Sequence, residues 1–246
     1  MKSSRLLLAL AFAGCGLVNG KTLSYEYAFD AQQFTQKLVA NGSATTVPTM
    51  QCDPTAAPDP CAMLQQQPVP MGAPKFQCDA PTRACIAVAD IRLPYPIDLS
   101  QQSLPGPVVT YGVDTVTVEK IAYWIMTNTV NVAMPPIDLY VASSAAKDES
   151  DPSAKLVGSV AMLAAKATAC ADTPDHDSTE PSMGASVCDI KLSDSGQAAM
   201  ALFVKDYKTP FQFIAHTRIV AKGGDPLPSG TIDFFVRPTV SFSVLK

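Results

Sequence analysis

Charge is scarce in this sequence: Asp, Glu, Lys and Arg together make up 16% of its 246 residues, and histidine occurs only twice. With 18 basic against 22 acidic residues and a pI near 5.1, the chain lacks the basic excess that a phosphate-neutralising nucleic-acid binder needs. Long apolar runs are missing as well. No stretch approaches the roughly twenty residues of a membrane-spanning helix, which excludes a polytopic membrane protein. Catalytic signatures are equally absent: there is no G-x-S-x-G elbow, no H-E-x-x-H, no phosphate-cradling glycine loop and no G-x-G-x-x-G after a strand. Enzyme is therefore the minority reading, and no cofactor is expected. Tryptophan occurs once and aromatics make only 7%, yet 47% of the chain is apolar, enough to bury a core and too much for a disordered chain.

What is present begins with an address. Lys2 and Arg5 precede an apolar stretch, residues 6–13 (LLLALAFA), too short to span a bilayer, so residues 1–20 read as a secretory signal. Two cleavage sites stay open, one before Cys15 and one after Gly20. Phe12-Ala13-Gly14-Cys15 resembles the lipobox of bacterial lipoproteins, with Phe12 departing from the usual Leu. That resemblance implies a lipid on Cys15 and attachment to a membrane; Gly16, standing where an Asp would favour inner-membrane retention, implies the outer membrane. Cleavage after Gly20 would instead release a soluble periplasmic or extracellular protein. Either way Lys2 and Arg5 are lost, leaving 16 basic and 22 acidic residues and a charge of −6.

Of seven cysteines, six remain once Cys15 is lipidated or discarded, an even number that suits an oxidising compartment. Cys52, Cys61, Cys78, Cys85, Cys170 and Cys188 are expected to pair. Local pairing would join Cys52 to Cys61, Cys78 to Cys85 and Cys170 to Cys188, although six cysteines permit fifteen connectivities. The pieces Cys52-Asp53-Pro54 to Cys61 and Cys78-Asp79-Ala80 to Cys85 look like a degenerate repeat. No C-x-x-C or H-x-x-x-H spacing supports zinc.

The organisation that follows is a first strand and connection over 21–40, Pro- and Cys-rich stapled loops over 41–85, and a β domain over 86–246 that the first strand joins. Alternation marks strands at 23–29, 86–93 (closed by Pro94 and Pro96), 108–111, 116–132, 137–142, 187–192, 211–220 and 231–245. In the longest of these Trp124 falls on the parity expected to be buried, with Tyr123 on the other; Lys120 and Asn128 interrupt it, which a bulge or a break into two strands would explain. Residues 156–163 suit a strand or a short helix. Ser193 or Ser195 would cap one helix over AAMALFVKDY, and Pro238 predicts that the last strand lies at an edge or bends. The sum is an antiparallel β-sandwich with one short helix. Its rhythm resembles immunoglobulin-like or fibronectin-like domains in architecture only, since the Cys…Trp…Cys pattern is missing.

Polar candidates are few. Asp172, Asp175, His176, Asp177 and Glu180 form an acidic loop between Cys170 and Cys188, but without the D-x-D-x-D-G register of a calcium loop. They read as solvated, as does the run Asp148-Glu149-Ser150-Asp151. His216 shares the polar face of its strand with Gln212 and Arg218 and reads as a surface histidine. Tyr123, Trp124, Tyr140 and Tyr207 could stack on a sugar, although core is the better default. The expectation is a non-enzymatic cell-envelope lipoprotein with a structural, adhesive or assembly role. Its partners would be the membrane, through the lipid, and an envelope protein. The alternatives are an exported module binding glycan or calcium and, third, an exported hydrolase using His216.

Overall fold

The computed structural model describes residues 22–39, 45–65, 72–102, 104, 106–170 and 186–245. In chain order its elements are β1 (Thr22–Ala28), β2 (Gln32–Leu38), β3 (Lys75–Asp79), β4 (Ala84–Ile97), α1 (Gly106–Tyr111), β5 (Thr115–Asn128), β6 (Ile137–Ser143), β7 (Lys155–Val160), β8 (Val187–Asp189), β9 (Lys191–Leu192), α2 (Asp194–Lys205), β10 (Phe211–Ala221) and β11 (Gly230–Leu245). One sheet runs β1-β11-β5-β8 with β2 also on β11; the other runs β3-β4-β10-β6-β7-β9, and every pairing in both is antiparallel. This is the β-sandwich that the alternation predicts. Its inner faces share one core, in which Phe34, Ile121, Tyr123, Val236 and Phe242 of the first sheet meet Ile91, Leu139, Val141, Phe211 and Phe213 of the second. Burying each of these side chains is worth roughly 1.5–3 kcal/mol.

The second helix, α2, packs on β5 and β7 and sends Met200 and Val204 into the core. Ser193 caps it, its Oγ accepting from the Gly196 amide at 3.0 Å. Gly196 lies so close to β7 that a Cβ would stand 2.4 Å from Leu156 O and Val157 Cα. Residues 108–111, expected as a strand, instead belong to α1, so the described residues hold two α-helices rather than one. Pro107 has no amide to lose in a first helical turn, and Gly112 N–H closes the helix onto Val108 O at 3.0 Å. Residues 155–160 resolve as strand.

Four further expectations are corrected. First, β4 does not stop at Pro94 but runs through Pro94 and Pro96 to Ile97. It can do so because past Val88 it pairs with β10 alone, so the missing amides leave no ladder on its other edge to break. Second, β11 is central although it contains Pro238. The proline falls where β2 pairing (to Val236) gives way to β1 pairing (from Thr239), opposite no donor-demanding partner on that side. Third, β5 carries two register shifts against β11, which leave Glu119 and Met126 as extra residues. A shift of one residue reverses the faces. Val116 and Val118 point toward the core, then Ile121, Tyr123 and Ile125 do, so Tyr123 is wholly buried and Trp124 lies on the outer face, stacked on Phe235 at 5.3 Å. Fourth, the segment after the first strand is not only a connection, because residues 32–38 form β2 with Phe34 and Leu38 buried.

The disulfides are Cys52–Cys78, Cys61–Cys85 and Cys170–Cys188. Local pairing therefore holds for the last and fails for the first two. The two Cys-containing pieces lie side by side: Cys52 N–H donates to Arg83 O at 2.9 Å, Cys85 N–H donates to Met50 O at 3.0 Å, and the Asp59 carboxylate accepts from the amides of both Cys61 and Cys78. The bridges thus join the first cysteine of one piece to the first of the other, and second to second. They sit in a small core of their own with Val47, Phe76, Ala87, Ala221 and Leu227.

Candidate functional site

Outer-face residues of the second sheet converge on one charged cluster. Alternation sends Asp90 and Arg92 of β4 outward while Ala89 and Ile91 face the core, and the same parity sends His216 and Arg218 of β10 outward. Register then sets Arg92 beside His216, and His216 beside Asp138 of β6, which in turn lies beside Ser159 of β7. A polar row crosses four strands.

The loop between β6 and β7 folds back over this face. Asp148 accepts from the Ser150 amide (3.0 Å) and hydroxyl, and Asp151 accepts from the Ser153 amide (2.9 Å) and hydroxyl (2.7 Å). Gln212, buried beneath the loop, donates to Ser143 O and Ala146 O. Ala142, Ala146 and Ile214 pack under it. The result delivers Glu149 to the cluster. Arg92 Nε donates to Glu149 Oε2 at 2.8 Å and Arg92 Nη2 to Oε1 at 2.9 Å, a two-pronged grip, while Arg92 Nη1 donates to Asp90 Oδ2. His216 Nε2 lies 3.0 Å from Asp90 Oδ1, and its Nδ1 lies 3.7 Å from Glu149 Oε1. Its side chain is only 20% exposed, so it is not the freely solvated histidine expected.

Electrostatics follow the contacts. The Arg92 hydrogen bond, stronger than the opposing effect of partial burial, holds the Glu149 carboxyl below its ordinary value. Burial pushes Asp90 up, but hydrogen bonds from His216 and Arg92 together outweigh it and hold that carboxyl low as well. Glu149 in turn raises the Arg92 pKa, against burial and with help from Asp90. Burial raises the Tyr140 phenol, with Asp138 and Glu149 adding to it. Ser159 Oγ donates to Asp138 Oδ1 at 2.5 Å. The hydroxyl in this row is therefore turned to a carboxylate rather than to the imidazole, and the order Ser, Asp, His does not make a nucleophile activated by histidine.

Beside the cluster, where β3 begins, a groove of about 690 Å³ runs along β4, lined by Gln36 and Leu38 of β2, by Gly72, Ala73, Lys75 and Gln77, and by Val88 to Arg92, with Arg218 at its rim. Among the sequence candidates, Cys15 and the acidic residues Asp172, Asp175, His176, Asp177 and Glu180 lie outside the described residues. The sulfurs of Cys52, Cys61 and Cys78 lie within 4.8 Å of one another, but each is in a disulfide and so carries no thiolate for a metal. The aromatics do not assemble a sugar platform: Tyr123 is core, Trp124 is 7% exposed with Arg237 over its ring, and Tyr140 and Tyr207 lie on different elements, packing against separate clusters. Sequence reasoning missed Glu149, read as part of a solvated turn; the outward parity of Asp90, Arg92 and His216 was the one available signal.

No family model and no curated protein matches this chain. Among solved structures, a decameric BFDV capsid protein is similar over 90% of this chain and 99% of its own, at 12% identity and a TM-score of 0.31. A likeness at that level carries no argument about this chain.

Proposed function

We propose that this chain is an exported, non-enzymatic component of a cell envelope, held at the outer membrane by a lipid on Cys15 and acting as a structural, adhesive or assembly module. The observation that carries the reading is the engagement of six cysteines in three disulfides, two of them in a buried block, which suits an oxidising compartment outside the cytoplasm. Among the described residues no helix is long and apolar enough to cross a membrane, so in this reading the attachment falls to the lipid. The non-enzymatic part is supported by the self-satisfied charged cluster: Arg92 grips Glu149, both ring nitrogens of His216 face carboxylates, and Ser159 is turned to Asp138. The test is the mass of the mature N-terminus from the native host. A triacylated Cys15 is expected; an unmodified Lys21 would overturn the anchor and leave a soluble exported protein.

A further inference from the structure

The groove along β4 combines two features that together point to an occupant. One is an unfinished ladder. β3 pairs with β4 only from Ala84 to Val88, whereas β4 continues to Ile97 with β10 on its other side, so among the described residues no strand hydrogen-bonds to that edge from Ala89 onward, although β2 passes nearby. Such an edge is a template for another strand. Pro94 and Pro96 remove two amides from the far part of β4, which confines an added strand to about the stretch from Ala89 to Leu93, where the groove lies.

The second feature is charge. Arg92 in the groove wall is already shared between Asp90 and Glu149 in the cluster described above. Lys75 and Arg218 at the rim are exposed and make no ion pair with the described residues, Arg218 standing opposite Asp90 in the ladder, so the rim carries two exposed cations.

We infer that this groove docks an extended, acidic segment of a partner protein by strand addition to β4, with Lys75 and Arg218 reading its carboxylates. The inference rests on the reading that the domain works by binding outside the cell, but not on the lipid.

The test uses the mature protein and fluorescence anisotropy with three labelled decapeptides: alternating Glu-Val, alternating Lys-Val, and Glu-Val carrying N-methylated amides on alternate residues, which cannot complete a ladder. Saturable binding of the Glu-Val peptide is expected, weakened about tenfold or more by N-methylation, and weakened likewise in Lys75→Glu/Arg218→Glu, whose preference shifts toward Lys-Val. An unchanged circular dichroism spectrum in the double variant confirms its fold, with a slightly lower melting temperature expected because the new carboxylate at position 218 stands opposite Asp90. Absence of saturable Glu-Val binding, or equal binding of the N-methylated peptide, overturns strand addition. Sedimentation of the protein alone is the second measurement: a dimer that the double variant dissolves would assign the edge to a second copy and overturn the partner. None of these outcomes alters the N-terminal mass, so failure here is distinguishable from failure of the anchor.

Discussion

Glu149 gains its role entirely from where its loop sets it, 2.8 Å from Arg92 on one side and 3.7 Å from His216 on the other. Because the folded carboxyls of Glu149 and Asp90 are held below their ordinary values of 4.5 and 3.8, their stabilisation is complete above those values and is lost as pH falls below them through the lower folded values. Thermal melts should therefore fall as pH drops below about 5, and Glu149→Gln should flatten that fall. At neutral pH the substitution should cost about 1 kcal/mol, no more, because Arg92 and Asp90 are more than a third exposed. A wild-type and variant pair with the same acid limb would show that the grip on Glu149 contributes nothing. Gly196 makes an opposite kind of prediction. Alanine is the better helix former, yet Gly196→Ala should destabilise by about 1–3 kcal/mol in urea melts, because its Cβ would collide with the backbone of β7 rather than with a side chain able to move.

Elements explain what residue patterns could not. Alternation in β10 and β11 was legible because neither strand carries an extra residue along its apolar face, and Ile232, Phe234, Val236, Val240, Phe242 and Val244 are buried as the pattern requires. In β5 the even-numbered parity holds at both ends and reverses between Glu119 and Met126, so Tyr123 faces the core between the sheets, while Trp124, also buried, lies on the outer face. Ile121→Ala, at a wholly buried position after the first shift, should cost about 2–5 kcal/mol. Helix α2 rests on its cap, and Ser193→Ala should cost about 1 kcal/mol by the same measurement. β2 escaped notice because five of its seven residues are polar, leaving only Phe34 and Leu38 to mark its buried face. Digestion under non-reducing conditions with one protease cutting before Asp53, Asp59 and Asp79 and a second cutting after Lys75 and Arg83 puts Cys52, Cys61, Cys78 and Cys85 each on its own fragment. It should yield Cys52 linked to Cys78 and Cys61 linked to Cys85; a Cys52–Cys61 peptide would contradict the arrangement.

At the scale of the molecule, the sandwich is closed by contributions far apart in sequence. β1 and β2, near one end of the chain, flank β11 at the other, and the stapled block of residues 45–85 ties β3 and β4 to the turn after β10 through Val47, Thr45 and Leu227. Bridges spanning 26, 24 and 18 residues each restrict the unfolded chain, an effect on the order of 3 kcal/mol apiece when taken alone and less in sum where the first two loops overlap. Reduction should thus lower the melting temperature markedly and expose six alkylatable thiols that were blocked before. Free thiols in the oxidised protein would contradict three bridges.

The sequence by itself determined what depends on local period and composition: an antiparallel β-sandwich, a helix capped at Ser193 or Ser195, the even set of cysteines, and the face that each unbroken strand turns inward. Tertiary structure decided what depends on which distant segments meet. Disulfide partners followed the lateral packing of two loop pieces rather than nearness along the chain, because Sγ atoms bond to what lies beside them in space. Pro94, Pro96 and Pro238 were tolerated where no neighbouring strand asked for their amides. The charged cluster, too, exists only in the folded sheet, since Asp90, Glu149 and His216 lie on two strands and a loop that register and loop return alone bring together.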